Sequence, residues 1–356
     1  MKMKFLLSTV LLAAALLLSA QNEVVQGLSA LDFDRNARGK AAWEQLYVTA
    51  VLYPELAYSL KGGDILTQLK REYPTKIKAI GIIPAKLDFV QKFAQQHRTM
   101  DITMCADENL TETIKLLGQN FQQSSIFDRS GKLLWSGEAI DLPMMIKRIY
   151  SKKYSEREEI RIAALVSALQ AALRSGNPRM ISQSADMILN LRPEQMSAVN
   201  AKAFALENSG DHKALEKFFR DRIKRFPNDA NNYFMLIEAS FRNPAMSGIA
   251  PGVAQEYFQK FPQDTVGINA VCWSLLNKLP FNAEAFKAVC AGENILKKSP
   301  AAGSSRILAT RSLIAYKKCH LRQAIAFATH ALNLADTPQD KAFLTELLRY
   351  YQATKE

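Results

Sequence analysis

From Ser155 onward every periodic stretch of this sequence reads as helix, and prolines recur at Pro193, Pro227, Pro262, Pro300 and Pro338. Their spacings of 34, 35, 38 and 38 residues constrain the fold more than any other feature. Proline breaks a helix, so its return at this interval marks off successive helical units. Three of these prolines close clear helical stretches, at 187–191, 223–226 and 257–261. Pro244, Pro251 and Pro280 fall between them, so the series is a selection. Asn208-Ser209-Gly210-Asp211 supplies a turn between two helices, with Ala214 and Phe218 following on the second. Ala324, Ala328 and Ala331 repeat that small-residue pattern, with His320 standing where Gly210 stood. Small side chains at such positions let paired helices approach closely.

Upstream, residues 43–150 alternate strand and helix patterns. Strands are predicted at 46–52, 78–83, 102–104, 124–127 and 132–135. Helices are predicted from about Asp64, and at 87–97, 111–117 and 142–150. Asp128-Arg129-Ser130-Gly131 joins the last two strands as a hairpin turn, since Asp favours turn starts and Gly tolerates positive φ. Asp141 is the expected N-cap of the final helix, with Pro143 in its first turn. The order β-α-β-α-β-α-β-β-α predicts parallel pairing, with the closing hairpin adding an antiparallel edge.

The segment Tyr73-Pro74-Thr75-Lys76-Ile77-Lys78-Ala79-Ile80-Gly81-Ile82 resembles the second core strand, and its approach, of envelope thioredoxin-like thiol-disulfide oxidoreductases. Phe89-Val90-Gln91-Lys92-Phe93 is similar to their following helix, and Phe127-Asp128-Arg129-Ser130-Gly131-Lys132 to their hairpin. Without gaps, that resemblance places the family's CxxC motif on Leu56-Ala57-Tyr58-Ser59; a register shifted by five residues places it on Val51-Leu52-Tyr53-Pro54. Neither contains Cys, and none occurs before Cys105. The family's cis-proline falls at Gln122. Dithiol exchange needs a low-pKa thiolate and a resolving thiol, so the resemblance implies the fold without the reaction. Residues 160–352 resemble tetratricopeptide repeats in their proline period and small-residue positions. An irregular helical bundle is the other arrangement that fits them. The expected architecture is an α/β thioredoxin-like domain at 43–152 followed by an all-α tetratricopeptide-like solenoid at 153–356, after a lead-in at 21–42.

Met1-Lys2-Met3-Lys4 precedes a mostly apolar run from Phe5 to Leu18 and then Ser19-Ala20. That is a signal-peptide pattern, too short for a membrane span of about 20 residues, and it predicts cleavage after Ala20. The mature protein is expected to be periplasmic or otherwise exported, without a membrane span. Of the net charge of +12, residues 21–150 contribute +1 and 151–356 contribute +9. The basic residues are dispersed, and no nucleic-acid motif occurs. The four cysteines, Cys105, Cys272, Cys290 and Cys319, have neither CxxC nor zinc-ligand spacing. Cys272 and Cys290 flank a predicted helical turn, where an oxidising compartment permits a disulfide. Asp107-Glu108 suits a helix start better than a catalytic pair, and Cys319-His320 lacks further metal ligands.

No catalytic, cofactor or metal residue is assigned, and the expectation is a protein that is not an enzyme. It is expected to bind a protein or peptide partner through the first helices of its repeats, with Asn232, Tyr233, Glu238, Asn269, Trp273, Arg311 and Tyr316 as the candidate lining. Asn pairs with a peptide backbone both ways, and Arg, Tyr and Trp are the side chains that most often carry interface energy. The alternative is a redox-associated protein that engages thiol proteins or an oxidoreductase without performing exchange.

Overall fold

The computed structural model describes residues 23–119, 121–278 and 282–354. The leader expected at 1–20 lies outside them. By its internal contacts the chain forms two compact units, the first ending at Lys202 and the second beginning at Ala203.

The first unit holds a six-stranded mixed sheet. Its elements run β1 (Val24–Gln26), β2 (Leu46–Val51), α1 (Ala57–Glu72), β3 (Ile77–Ile83), α2 (Leu87–Gln96), β4 (Thr103–Ala106), α3 (Thr111–Leu117), β5 (Ser124–Asp128), β6 (Leu133–Gly137) and α4 (Leu142–Tyr150). The spatial order is β1-β4-β3-β2-β5-β6. β1, β4, β3 and β2 are mutually parallel, and β5 and β6 are antiparallel as the hairpin pattern predicts. β1 lies in what the sequence reads as a lead-in, because three residues carry no periodicity. α1 begins at Ala57, about two turns before the predicted start, since Lys61, Gly62 and Gly63 hide its apolar repeat.

Every residue of β2 is buried, because both sheet faces are covered. Leu46, Val48 and Ala50 face a core built with Leu66 and Leu69 of α1 and Met145, Ile146 and Ile149 of α4. Tyr47 and Val51 face the opposite core with Ile80, Ile82, Cys105 and Phe127. The period-2 alternation therefore runs between two cores, not between core and water. At the hairpin, the Asp128 carboxylate accepts from Ser130 N, Ser130 Oγ and Lys132 N at 2.9, 2.6 and 3.0 Å. Gly131 takes φ +88°, which a Cβ would strain.

Asp107 caps α3, accepting from Glu112 N, Thr113 N and Thr113 Oγ1. Asp141 does not cap α4. A 3-10 turn at Ala139–Asp141 leads straight into that helix, so Asp141 has helical φ and ψ and not the extended backbone of a cap. Its carboxylate instead accepts from Ser197 N (3.1 Å) and Gln195 Nε2 (2.6 Å). The unit continues through α5 (Glu156–Ser175) and α6 (Pro178–Leu191), which pack on each other. Arg192, wholly buried, pairs with Glu158 and Glu159 at 2.8 and 2.5 Å. α7 (Met196–Asn208) carries the chain from one unit into the other.

The second unit contains α8 (His212–Arg225), α9 (Ala230–Arg242), α10 (Ala250–Lys260), α11 (Thr265–Lys278), α12 (Ala283–Lys298), α13 (Ser305–Lys317), α14 (Leu321–Asn333) and α15 (Pro338–Ala353). α9 packs on α11 and α11 on α13, while α10 packs on α12. Like helices of successive pairs thus stack on one another. Ala324, Ala328 and Ala331 are fully buried at the close approach of α14. A side chain at Gly292 would collide with Cys272 Sγ and Phe258, which is why α12 carries glycine there. Gly210, at φ +70°, and the Asp211 cap on Ala214 N make the turn into α8. At the equivalent turn of α13 and α14, Cys319 takes φ +60° in place of a glycine. Pro338 opens α15 and does not close a helix. Among the described residues no helix is long and apolar enough to cross a membrane.

Candidate binding pocket

β2 delivers the chain to the N-terminus of α1. The ungapped tetrad 56–59 falls on the N-cap and first turn of α1, whereas the shifted one falls on the end of β2 and the loop after it. Ser59, fully buried, accepts from Tyr53 N at 2.8 Å and donates to Val51 O at 3.3 Å. It ties strand end to helix and offers no nucleophile to solvent. Gln122 accepts from Gln170 of α5 at 3.0 Å through its side-chain oxygen.

The cysteines are all free thiols, including Cys272 and Cys290. Cys105 is buried in β4, and desolvation pushes its thiol up to about 12, away from the reactive thiolate. Burial likewise raises Cys272. Among the described residues no group of three or more His, Cys, Asp or Glu is placed to hold a metal ion.

The second unit opens a pocket of about 320 Å³ across α11, α13 and α15. Asn269 and Trp273 line it from α11, Arg306 and Thr310 from α13, and Asp340 and Phe343 from α15. The spacings of three and four residues put each pair on one helix face. Trp273 and Phe343 meet edge to face, with centroids 5.6 Å apart. Phe343 is 46% exposed, so this aromatic pair is open to a ligand. Asn269 Oδ1 is shielded from water and has no hydrogen-bond partner. Thr310 Oγ1 is spent on Arg306 O at 3.2 Å. Neither Arg306 nor Asp340 forms an ion pair among the described residues, so the pocket offers one charge of each sign beside an apolar floor.

Of the residues expected along the first helices, Asn269 and Trp273 are brought together here. Asn232 is fully buried: its Oδ1 accepts from Arg222 Nε at 2.9 Å, and its Nδ2 donates to Asp229 at 3.1 Å. Tyr233 is buried against Tyr257 and Phe261. Neither can line a groove, because the rotation of α9 turns both into the packing. Glu238 pairs with Lys278 at 3.1 Å. Arg311 lies over the Phe327 ring at 4.3 Å, and Tyr316 stacks on Tyr351 at 4.9 Å, so both serve helix packing. Asp340 and Phe343 were missed because Pro338 reads as the end of a unit. The apolar recurrence of Leu344, Leu348 and Tyr351 was the signal of one more helix presenting a face. No protein-family model matches this chain, and no curated protein matches it.

Proposed function

We propose that this is an exported, non-catalytic binding protein, in which a thioredoxin-like unit without a dithiol carries tetratricopeptide-like helix pairs that hold a peptide segment of a protein partner. The sheet order and the α1 connection between parallel β2 and β3 support the thioredoxin-like reading. The stacking of α9, α11 and α13, with α10 on α12, supports the repeat reading. The observation that carries the function is the pocket on α11, α13 and α15. An apolar slot with an open Trp–Phe pair and an unsatisfied amide oxygen suits an apolar or aromatic anchor followed by a backbone N–H.

The test is a set of peptides selected by display against the intact mature protein, then titrated against Trp273→Ala and Phe343→Ala. Each substitution is expected to weaken binding by about tenfold or more, as loss of an aromatic anchor does. The thermal midpoint should change little, because neither ring is core. Selected peptides that bind both variants as tightly as the wild type refute the assignment.

A further inference from the structure

The first unit contains a second pocket, of about 330 Å³, between β6 with its following turn and the start of α5. Its walls are apolar, with Leu133, Trp135, Ile160 and Val166 among them. Ile160, on that wall, is 69% exposed. The charged lining has one sign: Glu138, Asp141, Glu156 and Glu159, with no Lys or Arg.

Those four carboxylates are not equivalent. Glu159 is already held by both amino groups of Arg192, and Glu156 meets Lys132 at 3.0 Å. Asp141 accepts from Gln195 and Ser197. Glu138 lines the pocket from an exposed position and has no side-chain hydrogen bond or ion pair among the described residues. Exposed, and the one of the four without a partner, Glu138 is the carboxylate free to meet a cation entering the pocket.

A separate observation comes from Gln195, which lines the pocket and is 2% exposed. Its Nε2 donates to the Asp141 carboxylate at 2.6 Å and reaches Ser197 Oγ at 3.3 Å. The remaining atom is Oε1, a buried acceptor with no donor. Buried acceptors are normally satisfied, so this one marks a missing N–H or O–H group. The acceptor, the unpaired carboxylate and the apolar walls define one ligand chemistry: several donors, a positive charge and a hydrocarbon stem.

We propose that this pocket binds a primary ammonium group carried on an apolar chain, with Glu138 supplying the counter-charge and Gln195 Oε1 an additional acceptor. The ammonium has three N–H donors to share among these oxygens, and its stem packs along Ile160 and Val166. Free alkylamines and lysine side chains share this chemistry.

The probes for calorimetric titration of the full mature chain near neutral pH are n-hexylammonium, n-hexanol and hexanoate, with Nα-acetyl-lysine methylamide as a further arm. Hexylammonium should bind about tenfold or more tighter than hexanol, with hexanoate excluded. The lysine probe binding as well points to a side-chain source, and its failure points to a free amine. Glu138→Gln should weaken hexylammonium at least about fivefold while leaving hexanol unaffected, which separates charge recognition from cavity filling. Ala163→Phe, a substitution at an exposed lining position, should block every probe without lowering the thermal midpoint. Equal binding of hexanol and hexylammonium, no binding of either ammonium probe, or an unchanged affinity in Glu138→Gln overturns the proposal.

Discussion

Asn232 and Asn269 show what a residue type can and cannot say. Both sit on first helices, and both suit peptide recognition by chemistry, yet Arg222 claims one while the other lines a pocket. A sequence gives the face of a helix; it does not give which neighbour presents a buried cation to that face. Asn232→Ala removes the acceptor of a buried, charge-assisted bond and is expected to cost about 2 kcal/mol, read by chemical denaturation. An unchanged midpoint would show that Arg222 does not depend on it. Glu293 gives a sharper test. It is 5% exposed and pairs with Lys297 at 2.9 Å and Lys318 at 2.7 Å. Burial alone would raise its carboxyl, but hydrogen bonds from Lys318 and Lys297 outweigh burial and hold it below the usual range. A depressed carboxylate stabilises the fold above its unfolded value of about 4.3, and that stability is lost as pH falls through the folded value. Glu293→Gln should therefore destabilise by about 1–2 kcal/mol at neutral pH, and the difference from wild type should shrink in acid. A difference independent of pH would refute the pairing.

At the scale of elements, α3 and α4 were legible to the residue, because apolar spacing marks both, with the Asp107 carboxylate at the start of α3 and Pro143 in the first turn of α4. β1 was not, since an edge strand of three residues has no period to read. α1 was read late because Gly62 and Gly63 weaken the helical pattern; the structure explains them, as a Cβ on Gly62 would press on Leu52 and one on Gly63 on Met100. Asp141 was misassigned for a non-local reason: the backbone that it caps begins at 196, beyond any window around 141. The pocket on α11, α13 and α15 was half legible, with Asn269 and Trp273 found and Phe343 lost with its helix. The start of α1 carries its own prediction. Ser59 is spent on Val51 and Tyr53, and no thiol stands at the N-cap or first turn. Insulin reduction by the intact protein should show no thioredoxin-like turnover, and turnover at that level would mean that the chemistry has another centre.

On the scale of the whole chain, the change from strand to helix and the change of compact unit do not coincide. The first lies near 152, where the sequence pattern turns wholly helical, and the second at Lys202. The residues between them are bound to the sheet unit by groups that no local pattern reveals. Tyr154 donates to Leu134 O at 2.7 Å and packs edge to face on Trp43. Arg148 of α4 donates to Glu158 at 2.7 Å and approaches Glu194. Gln195 and Ser197 satisfy the buried Asp141 carboxylate. Ending the chain after Lys152 would remove all of these partners together, leaving Asp141 and Arg148 without theirs and Trp43 without Tyr154. Unpaired buried charge and lost aromatic packing each cost on the order of 1–3 kcal/mol, comparable in sum to the whole stability of a small domain. A fragment 21–208, which ends where α7 ends, is therefore expected to unfold cooperatively with sharp near-ultraviolet circular dichroism. A fragment 21–152 should lose that signal or melt far lower, and comparable midpoints for the two would place the end of the folding unit at the change of pattern instead.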